Sequence, residues 1–187
     1  DMPQRYLPPQ KLLMPMLFQQ VYVFRKKMGE KKNENSKIIS VDIDESNLPL
    51  PSHEALQERK VAIFDLLTEN FFRPFIPEHY PNNIGPYKLL IYTKDQLLVF
   101  KISNKEDILL REIILSISPI RKVLKDYNEI CASYYNAVKR LAPSQIETID
   151  MGRKAIHDEG GQILIDRFTG KAEMDLQTAR RLFTLIT

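Results

Sequence analysis

One cysteine, three histidines, six glycines and no tryptophan stand in a chain of 187 residues. A single thiol leaves no partner for an internal disulfide and fits a reducing compartment, so a cytoplasmic location is expected. With His53, His79 and His157 isolated from one another, no Cys/His spacing suits zinc, and no metal is expected. The glycines form no phosphate-cradling loop, and neither a G-x-S-x-G elbow nor an H-E-x-x-H helix occurs, so no cofactor is expected either. The apolar run Leu12–Phe24 is interrupted by Pro15 and Gln19-Gln20 and is too short to span a bilayer. An excess of one charge is missing from the body as well. Residues 1–37 hold eight Lys/Arg against three acids, and residues 38–187 hold nineteen against twenty-one, leaving the latter near −2. Nothing there argues for nucleic acid or a membrane.

What is present divides at about residue 38. Residues 1–27 lack caps and periodicity and read as a tail or upstream-start artefact, with a surface-docking amphipathic segment as the alternative. Met28 is a natural start, and MGEKKNENSK (28–37) is polar and charged enough to be disordered. Residues 1–37 are therefore expected to be a disordered or non-native leader, and 38–187 a single domain.

IISVDID (38–44) alternates as a strand. Ser52 followed by Ala55 opens a helix whose stripe is Leu56, Ile63, Phe64 and Leu67. Residues 71–87, rich in proline, form a loop with room for a short edge strand. YKLLIYT, QLLVFKIS and ILLREIILSIS, joined by short polar turns, predict an antiparallel meander. A long helix follows, with Ser118 as N-cap, Pro119 in the first turn, and Ile120, Val123, Leu124, Tyr127, Cys131, Tyr134, Val138 and Leu141 as its stripe. Ser144 and Glu147 make a capping box for the next helix, which Gly160-Gly161 should interrupt before it resumes to Phe168. Asp175 caps a final helix. The expected fold is α+β: a small antiparallel sheet packed against one N-terminal helix and a C-terminal layer of about four helices.

Two clusters carry potential chemistry. Arg121, Lys122 and Lys125 crowd the positive end of the long helix, and with Ser118 they could bind an anion there; a solvated basic edge is the plainer reading. Asp150, Arg153 and His157 share a face of the next helix, with Glu159, Asp166 and Arg167 beyond. Such a set can hold an anionic ligand or position a base, or simply pin the Gly160-Gly161 bend by ion pairs. Cys131 lies on the apolar stripe and reads as a buried structural thiol. Ser118, Arg121, Lys125, Arg153 and His157 are thus the candidate anion ligands, and no catalytic residue is assigned.

Five stretches also carry a resemblance: 58–74, 85–91, 114–138 (ILSISPIRKVLKDYNEICASYYNAV), 143–167 (PSQIETIDMGRKAIHDEGGQILIDR) and 175–185. Together they resemble the bacterial uncharacterised family UPF0262, typical of alphaproteobacteria, over roughly residues 38–187. The resemblance implies a soluble cytoplasmic bacterial protein with no assigned activity and no catalytic residues to carry over. Two functions stay open at this level. One is a non-enzymatic regulatory or adaptor protein that binds another protein, preferred because no catalytic constellation is seen. The other is a binder or converter of a small phosphorylated or carboxylated ligand, motivated by the two basic clusters.

Overall fold

In the computed structural model the described residues are 35–46, 51–76 and 85–187. The expectations for residues 1–34, and for the middle of the proline-rich loop at 77–84, lie outside them. Residues 34–187 cluster as one unit. Its main sheet has the order β1-β3-β4-β5, built from β1 (Ile38–Asp44), β3 (Tyr87–Lys94), β4 (Leu97–Ser103) and β5 (Leu109–Ser116). The last three form the expected meander. Asp95 and Gln96, both at positive φ, make the tight β3–β4 turn, a geometry that matches strand twist. The Asn104 Oδ1 accepts from the backbone of Glu106 and Ile108 and folds the β4–β5 turn.

β1 departs from the antiparallel expectation. It pairs parallel with β3, because the chain between them includes a helical crossover, α1 (His53–Thr68), rather than a hairpin turn. The sheet is therefore mixed, and mostly antiparallel. The expected short edge strand is β2 (Phe72–Pro74), which pairs antiparallel with β6 (Ala172–Met174) in a separate two-stranded sheet. Ser36 and Lys37, placed in the leader by composition, accept backbone hydrogen bonds from Phe72 and Tyr87.

One face of the main sheet carries the core. Ile38, Leu89, Ile91, Phe100, Ile102 and Ile113 are all essentially inaccessible there. Phe168 inserts edge-on against Phe100, with ring centroids 4.9 Å apart, and against Phe72 at 6.3 Å. Each such ring contributes about 1.5–3 kcal/mol by burial, and the edge-to-face pairs add about 1 kcal/mol. Asn70 fixes the end of α1 to β1: its Oδ1 accepts from the Ile38 N–H at 2.7 Å, and its Nδ2 donates to the Ile38 and Leu66 carbonyls.

Three helices, not four, follow the sheet: α2 (Arg121–Arg140), α3 (Pro143–Phe168) and α4 (Leu176–Leu185). Gly160-Gly161 do not interrupt α3. Both are buried within it, at a close crossing with α4, so they serve packing rather than breakage. Two caps also differ from expectation. Residues 117–120 close a turn through the Ile120 N–H and the Ile117 carbonyl, so α2 starts after buried Ile120 and Ser118 does not cap it. The α3 cap is Ala142 with Pro143 first in the helix, two residues ahead of the expected Ser144 box. Ser52 and Asp175 cap as expected, accepting from Ala55 N and Thr178 N. The α1 stripe is rotated: Arg59, Ala62 and Leu66 face inward, while Val61, Phe64 and Leu67 are exposed, Phe64 by 71%.

Candidate functional site

The helices succeed one another around the inner face as α2, α3, α4 and α1. Neighbours along this series pack closely, while α1 and α2, which would complete the circuit, meet only sparsely. A cleft of about 530 Å³ occupies that open seam. The size suits a small molecule.

Its geometry follows from helical spacing. Glu58 and Arg59 come from the second turn of α1, and Tyr127, Cys131 and Tyr135 recur every four residues on one side of α2. Arg59, Tyr127 and Cys131 form the deep part, at 7%, 1% and 7% exposure, whereas Glu58 and Tyr135 are half-buried. The Tyr135 hydroxyl donates to Glu58 Oε1 at 2.6 Å. Burial, together with the Glu58 carboxylate, raises the pKa of this phenol and keeps it protonated.

Two donors in the deep part are left without partners. Arg59 gives one amino group to Glu45 at 2.7 Å and the other to the Thr187 main-chain oxygen, yet its Nε–H makes no hydrogen bond. The Tyr127 hydroxyl makes none of full hydrogen-bond geometry either, although the Cys131 thiol and Thr184 hydroxyl act on it as weak hydrogen-bonding neighbours that shift its ionisation. Burial is the largest cause holding this phenol far above its ordinary pKa. An unsatisfied buried donor costs about 1–3 kcal/mol, so two beside one cleft ask for an acceptor. Burial likewise raises the Cys131 thiol, which makes it a poor nucleophile.

The five residues singled out from the sequence fall into two groups, neither lining this cleft. At the start of α2, exposed Arg121 donates to Gln96 Oε1 at 2.9 Å, Lys125 lies 3.7 Å from Glu129, and Ser118 is exposed on the preceding turn. On α3, Arg153 pairs with Asp150 at 2.7 Å and lies over the Tyr134 ring. The Nδ1 of His157 faces the Arg180 guanidinium at 3.3 Å, a donor, so the proton belongs on Nε2, which sits 2.9 Å from the Arg180 carbonyl and from the Thr184 hydroxyl. Its ring stacks on Tyr127 with centroids 4.9 Å apart. Burial is the largest cause lowering its pKa; the hydrogen bond to the Arg180 carbonyl opposes it, and the Arg180 and Arg153 charges add to the lowering against a small opposing effect of Asp158. Both ring nitrogens are occupied by the fold.

Of the cleft residues, Tyr127 and Cys131 were legible as stripe positions, while Glu58, Arg59 and Tyr135 were not. The one available signal was Arg59, a charge three and seven residues before Ala62 and Leu66 on the buried side of α1. Among the described residues no group of three or more His, Cys, Asp or Glu side chains could hold a metal ion, and no helix is long and apolar enough to cross a membrane.

Comparison with known proteins places this architecture. Residues 35–187 match the uncharacterised protein family UPF0262. A UPF0262 protein of Ruegeria pomeroyi is 52% identical over 151 residues, covering 81% of this chain and 94% of that protein. One from Dinoroseobacter shibae is 50% identical over 153 residues (81% and 95%), and one from Paracoccus denitrificans 48% over 153 (81% and 93%). No solved structure matches. With the match spanning every described strand and helix, the chain belongs to the uncharacterised protein family UPF0262.

Proposed function

We propose that this protein binds a small carboxylated or phosphorylated molecule in the cleft between α1 and α2. The observation that carries the reading is the pair of buried, unpartnered donors, Arg59 Nε–H and Tyr127 O–H, on one cleft. An anionic oxygen accepts from both, replacing two unsatisfied groups by charge-assisted hydrogen bonds. Binding, rather than turnover, is the better description. The Cys131 thiol is held protonated by burial, and His157 has both nitrogens engaged in the α3–α4 seam, so among the described residues the cleft has no activated nucleophile with a base beside it.

The test is thermal unfolding with acetate, succinate and inorganic phosphate, at constant ionic strength balanced by chloride. At least one should raise the midpoint saturably in the native sequence, as binding to the folded state requires. Tyr127→Phe should reduce that rise. Identical responses in both proteins, or none in either, would overturn the reading.

An adaptor role has one observation in its favour: the outward side of α1, where Val61, Phe64 and Leu67 are exposed together. On that reading Phe64→Ser abolishes a protein complex and leaves the carboxylate response unchanged.

A further inference from the structure

The cleft is chemically two-ended. Its deep part holds two donors without partners, Arg59 Nε–H and Tyr127 O–H, beside the Thr187 main-chain oxygen that already accepts from Arg59. Its wall offers a carboxylate, Glu58, which accepts from Tyr135 through Oε1 but forms no ion pair with any described residue. Arg59, its neighbour in sequence, pairs with Glu45 instead. A half-buried carboxylate with no ion-pair partner, lining the same cleft as two donors with no acceptor, gives that cleft ends of opposite polarity. A simple acid satisfies one end and is repelled by the other, and a simple amine does the opposite.

Resting on the ligand-binding reading above, we infer that the ligand is a small zwitterion of the α-amino acid class. Its carboxylate accepts from Arg59 Nε and Tyr127 Oη, and its ammonium donates to Glu58. Ala55, Ala132 and Ile186 supply an apolar wall for an aliphatic side chain. The sequence hides this, because Glu58-Arg59 on an amphipathic helix looks like ordinary surface charge.

Three probes of one skeleton separate the ends: L-leucine, 4-methylpentanoate, which lacks the amino group, and 3-methylbutylamine, which lacks the carboxylate. Calorimetric titration of the full chain should show leucine binding at least about tenfold more tightly than either half, since each end adds a charged hydrogen bond. Glu58→Gln still accepts from Tyr135, so it should preserve the fold, bring leucine to the affinity of 4-methylpentanoate, and leave the acid itself unharmed. Tyr127→Phe should weaken leucine and the acid alike. If the acid binds as tightly as leucine, or if Glu58→Gln leaves their ratio unchanged, the zwitterion inference falls while the carboxylate site stands. If the amine binds as tightly as leucine, the carboxylate end is wrong. If none of the three binds, both the inference and the site on which it rests are overturned.

Discussion

Where α3 crosses α4, a methyl group added at Gly160 would lie 2.5 Å from the Phe183 ring, and one at Gly161 would lie 2.9 Å from the Arg180 side chain. Where α1 faces α2, tyrosines project into the gap and an open cleft remains. The two seams belong to one helical layer and differ chiefly in side-chain size at the crossing. Small residues let backbones approach, and close approach lets polar groups find each other. In the tight seam His157 bonds through both nitrogens, and Arg180 reaches Asp158 at 3.0 Å. In the open seam Arg59 and Tyr127 each keep an unused donor. A fold that pairs His157 and Arg180 at one seam and leaves Arg59 Nε and the Tyr127 hydroxyl short at the next points to the second as the place for a partner molecule.

The comparison is broken most severely by filling the tight seam. Gly160→Ala should cost about 2–3 kcal/mol in urea unfolding, because overpacking against a buried ring exceeds the helix-propensity gain of about 1 kcal/mol. Gly152→Ala, also within α3 but with only Ile130 at 3.6 Å, should gain some of that propensity instead. Equal effects at the two glycines would remove the close-packing argument.

A second, smaller effect comes from His157. Its folded pKa lies below its unfolded value near 6.5, so the unfolded state binds the proton more readily. Stability is then fully present above pH 6.5 and is lost as the pH falls below it, at no more than about 1.4 kcal/mol per pH unit. The charged neighbours are Arg153, Asp158 and Arg180. Unfolding free energies at pH 7.5 and 5.5 should diverge in the native sequence and converge partly in His157→Gln. A variant with the full acid loss would place the titration elsewhere.

Smallest of all is the start of α2. Arg121→Ala with Lys125→Ala should change stability by only a few tenths of a kcal/mol, as exposed groups near the positive helix end do. It should leave the carboxylate response of the cleft intact. Loss of that response would move the site from the open seam to the sequence-derived cluster.

Much of the fold was readable because periodicity reports burial directly: the meander at Tyr87–Ser116 and the α2 stripe through Tyr127 and Cys131 follow from apolar spacing alone. The parallel pairing of β1 was not readable, since alternation within IISVDID says nothing about the direction of its neighbour. Gly160-Gly161 look alike in sequence whether they break a helix or notch it for a partner; only the position of Phe183 decides. The α1 stripe failed for a related reason: Leu56, Phe64 and Leu67 are more apolar than Arg59 and Ala62, yet α4 and β1 take the narrower side. The cleft was hidden because it is made by two helices far apart in sequence, and a missing hydrogen bond leaves no mark on either.

The central claim is that the Tyr127 hydroxyl is buried without a partner in the ligand-free fold, and its most direct test is the stability of Tyr127→Phe. Both proteins should be refolded from denaturant and dialysed, to remove any bound molecule, and then unfolded in urea. Removing an unsatisfied hydroxyl while keeping the ring should leave stability unchanged or raise it by up to about 1 kcal/mol. A loss of about 1 kcal/mol or more, as deletion of a well-made hydrogen bond gives, would contradict the account.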